Sequence, residues 1–169
     1  MPAALPDPFV LPPLPVYRAL NPVYARDPLS GTGAALYGGR FNAKGRAALY
    51  TALTPIGAVN EANQAGRPFE PVVLVAYEGA VGPCLDGCDA GHLAALGLTA
   101  ADLAAPDWRL VMAKDSITPL QTACERLVAL GYHGLIAPSF APGAQGARNL
   151  VLWRWEGLRA IDHEGRLSR

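Results

Sequence analysis

The apolar positions of this chain fall into short blocks punctuated by glycine and proline, and each block can be read for its period. Residues 16–20 (VYRAL) predict a first short strand, and 48–51 a second. Thr54-Pro55 predicts a helix start: the hydroxyl accepts a free backbone N–H, and proline at the first helical position loses no hydrogen bond. That helix is predicted to run to about Ala65, with Gly66 as its stop. The valine-rich run 71–77 has the character of a central strand. Alanine and leucine dominate 89–105, which predicts one or two short helices. Thr118-Pro119 opens a further helix by the same cap logic, ending at Gly131. Residues 135–137 and 149–155 predict two late strands joined by a Gly/Pro/Ala loop. Strands interleaved with helices around a small sheet make one mixed α/β (α+β) domain over 16–169.

Two segments fall outside this pattern. The first fifteen residues carry prolines at 2, 6, 8, 12, 13 and 15. Fixed φ and missing N–H groups exclude a helix there, so the segment reads as an extended arm laid over the domain, or a frayed end. Residues 30–45 hold glycines at 31, 33, 38, 39 and 45, a stretch suited to tight turns and close approach of backbone to a ligand.

Composition narrows the function classes. The formal net charge is zero, with 51 % hydrophobic and 17 % charged residues. A general nucleic-acid binder carries a basic excess or stripe, which is absent here. The most apolar run, 71–77, is far too short to span a bilayer, and no basic segment followed by an apolar run marks a secretory signal. Cys84, Cys88 and Cys124 are an odd number of thiols and fit a reducing cytoplasm better than a disulfide framework.

Several familiar motifs fail on context. Gly31-Thr32-Gly33 has Leu36 in place of a third glycine and no strand before it, so a dinucleotide fingerprint is not satisfied. Cys84, Cys88 and His92 recur every fourth residue, but Gly82, Pro83, Gly87 and Gly91 oppose a helix, and a closed zinc site wants a fourth ligand. Ser139 lies near His133 in sequence without a nucleophile-elbow pattern. No metal site is therefore assigned.

A more informative constellation is spread along the chain. It comprises Tyr17-Arg18, GGRFNAKG at 38–45, Leu49-Tyr50-Thr51, Glu61, Ala137-Pro138-Ser139 and Asn149. This ordered set, from Tyr17 to about Trp155, resembles the RES-domain family, named for its arginine, glutamate and serine. Phe41 stands where the family's familiar motif has tryptophan, which keeps an aromatic. The family is similar to ADP-ribosyltransferases of the Arg/His–Tyr–Glu type. The resemblance implies a cleft between a split sheet and flanking helices, and a toxin of a type II toxin–antitoxin system. It also implies NAD⁺ as a consumed substrate rather than a recycled cofactor.

The residue types suit that chemistry. Breaking the nicotinamide–ribose bond builds positive charge on the sugar, which a carboxylate can stabilise. The resemblance makes Glu61 that carboxylate, with Ala58, Ala62 and Ala65 as small helix neighbours; alone it reads as a solvated helix glutamate. Arg40 and Arg18 are candidates for the pyrophosphate, since the guanidinium fork suits phosphate oxygens; each could instead sit in a surface ion pair. Tyr50 can stack on the cationic nicotinamide or serve as a core tyrosine. The catalytic set is thus Glu61, Arg40 and Tyr50. Arg18, Tyr17, Ser139 and Asn149 are assigned to NAD⁺ binding, Asn149 chiefly by fixing the loop that carries Ser139. Tyr24, Arg26, Lys44 and Arg46 lie near the glycine-rich stretch and read equally as solvated surface.

The resemblance further implies an Xre-type antitoxin whose C-terminal segment plugs the cleft and which, unlike this chain, binds DNA. The ADP-ribose acceptor is water, phosphate or a host protein such as a phosphoribosyl-pyrophosphate synthetase. Two other classes stay open at this level: a non-enzymatic interaction module docking through the proline-rich arm, and a hydrolase using Ser139 with His133.

Overall fold

The computed structural model describes residues 7–64 and 70–168. Among these, seven strands form one mixed sheet: β1 (Val16–Leu20), β2 (Leu49–Ala52), β3 (Val73–Gly79), β4 (Cys84–Asp86), β5 (Gly134–Pro138), β6 (Arg148–Leu152) and β7 (Leu158–Ala160). Their order across the sheet is β4-β5-β6-β2-β1-β3-β7. Only β4 and β5 pair in parallel; the other neighbours are antiparallel. Six α-helices accompany the sheet: α1 (Thr32–Tyr37), α2 (Pro55–Asn63), α3 (Ala90–Ala95), α4 (Ala100–Ala104), α5 (Trp108–Asp115) and α6 (Pro119–Ala129).

Side-chain alternation divides the core between the two faces of the sheet. Leu85, Leu135, Ala137 and Val151 point to one face, where Leu93, Leu103, Leu120, Cys124 and Leu127 of α3, α4 and α6 cover them. Cys84, Ile136, Leu150 and Leu152 point to the other, with Val16, Leu49, Val75 and Tyr77. Because both faces of β5 and β6 are covered, these strands read as apolar runs rather than alternating ones.

The helix starts follow their caps. Thr54 accepts from Gly57 N at 3.0 Å, with Pro55 in the first helical turn. Thr118 and Gln121 form a reciprocal capping box at the start of α6. α2 is helical to Asn63; its predicted end at Ala65 and Gly66 lies outside the described residues, as do the first six residues of the proline-rich segment. Residues 7–15 run beside β4, where Val10 and Cys84 exchange backbone hydrogen bonds of 2.8 and 2.9 Å.

Several elements differ from the sequence expectation. The glycine-rich stretch contains a helix, α1, in which Gly33 has open space around it and Gly38, at φ +71°, ends the helix. Glycine composition masked the Ala-Ala-Leu-Tyr run between them. β3 is not fully buried: Val75 and Tyr77 face the core while Leu74 is 46 % exposed. The last long strand stops at Leu152, because Trp153 N and Arg154 N both turn to His133 O at 2.8 and 3.2 Å. The three-residue strands β4 and β7 are too short to show a period, and α5 buries no residue that could mark one. Cys84 lies in β4, Cys88 in the turn after it and His92 in α3, so the three do not share a helix face. No His/Cys/Asp/Glu group among the described residues is arranged to hold a metal ion. Likewise, no helix among the described residues is long and apolar enough to cross a membrane.

Two polar contacts tie α6 to the glycine-rich loop. Gln121 is fully buried, and its Nε2 donates to Gly39 O at 2.8 Å and Asn42 O at 3.1 Å. Arg46 makes a two-pronged pair with Glu125, Nε–Oε1 3.0 Å and Nη2–Oε2 2.6 Å. Gln121→Ala leaves the Thr118 N–H unpaired and takes one of two donors from each of the Gly39 and Asn42 carbonyls, so urea denaturation should show a loss of about 1–3 kcal/mol. The Arg46 hydrogen bond and charge hold the Glu125 carboxyl below its ordinary pKa of 4.5. A depressed folded-state pKa stabilises above the unfolded value and loses that stabilisation as pH falls through the folded one. Both groups are about one-third exposed, so the gain is at most about 1 kcal/mol. Glu125→Gln should therefore lower the midpoint at neutral pH while leaving it unchanged well below the folded carboxyl pKa.

Candidate active site

Strands β1 and β3 pair along the whole of β1, and β2 pairs with β6 along the whole of β2. Between these two halves of the sheet, β1 and β2 meet only at Tyr17 opposite Ala52. Beyond that point the strands part, and α2 packs across both. The opening is a cleft of about 260 Å³ lined by Tyr17, Arg18 and Ala19 of β1, Tyr50, Thr51 and Ala52 of β2, Ala58, Glu61 and Ala62 of α2, and Asn149 of β6. By alternation Tyr17, Tyr50 and Asn149 lie on the face covered by α3, α4 and α6, whereas Arg18 lies on the opposite face with Val16 and Leu20. A gap between strands is what lets side chains from both faces line one cavity.

Glu61 is the polar centre of this cleft. Ser139 donates its hydroxyl to Glu61 Oε1, and Asn149 donates Nδ2 to the same oxygen at 2.7 Å. Exposed Gln64, the C-cap of α2, donates to the other oxygen. Glu61 is thus not a freely solvated helix glutamate; three donors from three segments fix its carboxylate. Ser139 reaches it from the loop after β5, where Ser139 N is bound to Ala147 O at 2.8 Å. Asn149 holds Glu61 rather than the Ser139 loop, and its Oδ1 is buried without a partner among the described residues.

Tyr50 presents its ring to the cleft while its hydroxyl points away. The hydroxyl donates to Asn42 Oδ1 at 2.7 Å and accepts from Phe41 N at 3.1 Å. Burial pushes the phenol well above its ordinary pKa, against the opposing pull of the Phe41 N–H. Asn42, fully buried, donates to the carbonyls of Ala34, Ala43 and Arg46. Gly39 is required beside this pair: a Cβ there would lie 2.6 Å from Asn42 Oδ1 and against the Tyr50 hydroxyl. The GGRFN run and Tyr50 are therefore one interlocked unit. Asn42, quoted in the motif without a role, organises it; its full satisfaction depends on atoms up to eight residues away, which no local pattern displays.

Of the two arginines, only Arg18 lines the cleft. Its Nη1 donates to Pro28 O at 3.0 Å, a carbonyl that also accepts from Tyr77 at 2.6 Å. Arg40 lies outside the lining residues. Its Nη1 caps the end of α4 through Leu103 O at 3.1 Å and Ala105 O at 2.8 Å, and its guanidinium sits 4.5 Å from the Phe140 ring centroid. Neither forms an ion pair with a carboxylate among the described residues. Arg46 is bound to Glu125, and Tyr24, Arg26 and Lys44 are exposed.

The hydrolase reading loses its geometry. His133 precedes β5 and accepts from Gly82 N at 3.3 Å, whereas Ser139 follows β5 and is bound to Glu61. The length of an extended strand, about 3.3 Å per residue, separates the two.

The RES domain matches this sequence over residues 15–168. The chain belongs to the RES-domain family. The match takes in every residue of the cleft and both arginines. Among solved structures, a chain of the M. tuberculosis MbcT–MbcA toxin–antitoxin complex shares the RES fold seen here, with a TM-score of 0.69 and 22 % identity over 91 % of this chain and 84 % of that chain. A comparison with curated proteins finds no match.

Replacing Tyr50 by phenylalanine leaves the ring in the cleft but strands Asn42 Oδ1 and Phe41 N. The expected outcome is a stability loss of about 1–3 kcal/mol with faster amide exchange at Phe41. Unchanged exchange would show that the hydroxyl does not hold this loop.

Proposed function

We propose that this RES domain is the toxin of a toxin–antitoxin pair and that it cleaves NAD⁺ at the nicotinamide–ribose bond. The observation that carries the reading is the Glu61 carboxylate, held by Ser139 and Asn149 in a cleft between parted strands. In this reading the C–N bond breaks with its electron pair going to nicotinamide, which leaves neutral, and the ribose becomes oxocarbenium-like. Glu61 stabilises that charge. Its Oε1 is occupied by protein donors, so Oε2, covered only by the exposed Gln64 amide, is the oxygen that ribose hydroxyls would take over.

The remaining residues fit supporting roles. The Tyr50 ring, held in place through its hydroxyl, offers a face to the cationic nicotinamide. Tyr17 forms the other wall at the point where the strands meet. Arg18 and Arg40 each commit one terminal nitrogen to backbone carbonyls, which leaves the rest of the guanidinium fork for the pyrophosphate. NAD⁺ is consumed as substrate and not recycled. The setting is the cytoplasm, where an Xre-type antitoxin blocks the cleft and itself contacts the DNA. Water, phosphate or a host protein such as a phosphoribosyl-pyrophosphate synthetase accepts the ADP-ribose.

The test is nicotinamide release by the purified chain, free of any partner, beside Glu61→Gln, first alone, then with phosphate, then with cell lysate. Release should fall by roughly 100-fold or more in the variant, as when one group aimed at developing charge is removed. The condition that accelerates release names the acceptor. Equal release by folded Glu61→Gln would sink the mechanism.

A further inference from the structure

Beside the cleft, two arginines share one aromatic ring. The Arg109 guanidinium lies 4.3 Å from the Trp108 ring centroid, and that of Arg40 lies 5.8 Å from the same centroid and 4.5 Å from that of Phe140. Among the described residues no carboxylate is within ion-pair distance of either guanidinium. Like charges gathered on one ring repel, and burial together with Arg109 holds the Arg40 guanidinium below its ordinary pKa. Glu61 offsets this only in part, so the fold keeps two neighbouring cations, neither in an ion pair among the described residues, that an anion would relieve. Their planar forks suit phosphate oxygens, and the two rings suit a purine.

The position of this cluster is as informative as its chemistry. Phe140 follows directly on Ser139, whose hydroxyl is bound to Glu61. The α4 end that fixes Arg40 leads by two residues into Trp108 and Arg109 at the start of α5. Arg40 lies close enough to Tyr50 and Glu61 to feel their charge, so the cluster adjoins the cleft at its Arg40 end.

We propose that Arg109, together with Trp108, Arg40 and Phe140, seats the pyrophosphate and adenine end of the dinucleotide, an extension of the site that rests on the NAD⁺-cleaving reading. Trp108 and Arg109 then give the enzyme its preference for a dinucleotide over nicotinamide mononucleotide, which has no adenylate half. The Arg109 side chain is exposed on α5 and packs on the Trp108 ring, so its replacement leaves the fold intact.

The experiment is calorimetric titration of the folded wild type and of Arg109→Gln with ADP, followed by steady-state kinetics with NAD⁺ and with nicotinamide mononucleotide. Loss of one charged hydrogen-bonding group should weaken ADP binding roughly tenfold or more. It should also raise KM for NAD⁺ by a similar factor with kcat nearly unchanged, and leave the mononucleotide unaffected. Equal ADP affinity in the two proteins, no ADP binding by the wild type, or an equal loss with the mononucleotide would overturn the assignment. Arg109-dependent ADP binding by a protein that releases no nicotinamide would support this anion seat while removing the NAD⁺-cleaving reading.

Discussion

When two neighbouring strands meet at one residue and then part, their facing edges lose the ladder that would otherwise satisfy them, and something else must hold the halves together. In this RES domain that junction is Tyr17 opposite Ala52, and the splint is α2. The cost of the opening is borne on either side. β1 is fully paired with β3, and β2 with β6, so each half of the sheet keeps a complete ladder on its outer edge. The opening gives one small cavity access to side chains from both sheet faces, which a continuous sheet would keep apart. Glu61 sits in it because α2 must cross the gap to close it.

A second constraint shapes the walls. The loop from Gly38 to Arg46 has few apolar side chains to bury and is held by polar contacts instead. Asn42 and Gln121, both fully buried, donate to its Ala43, Arg46, Gly39 and Asn42 carbonyls, Tyr50 accepts from Phe41 N, and Trp153 donates Nε1 to Phe41 O at 2.9 Å. Low surrounding dielectric makes such a network rigid when complete and costly when broken. The result is that the Tyr50 ring and the Arg40 backbone are placed by the same set of bonds. The geometry on one side of the cleft is therefore coupled to the packing of α6.

The arginines of this chain, whose formal net charge is zero, divide into two groups. The ion pairs among the described residues lie at the surface, in Arg46–Glu125, Arg159–Glu78 and Arg166–Glu164. Arg18, Arg40 and Arg109 are left out of them and lie in or beside the cleft. Arg18 and Arg40 are half-buried, where charge is screened less than at the solvated surface that Arg109 occupies.

Much of the fold was legible in the chain because its cues are local. Thr54-Pro55 and Thr118-Pro119 start helices through contacts within three residues, and 16–20 forms a strand with the expected bounds. Motif order gave the family and gathered Glu61, Ser139 and Asn149 without showing how they meet. What sequence could not show is set by partners far along the chain. Helix α1 hid behind its glycines, and β4 and β7 are too short to display a period. Asn149 holds Glu61, 88 residues away, and not its neighbouring loop. Arg40 caps a helix 63 residues on instead of lining the cavity. Residue types determined which chemistry was available. Only the parting of β1 from β2 decided where it would be assembled, because register and crossing are properties of the whole sheet.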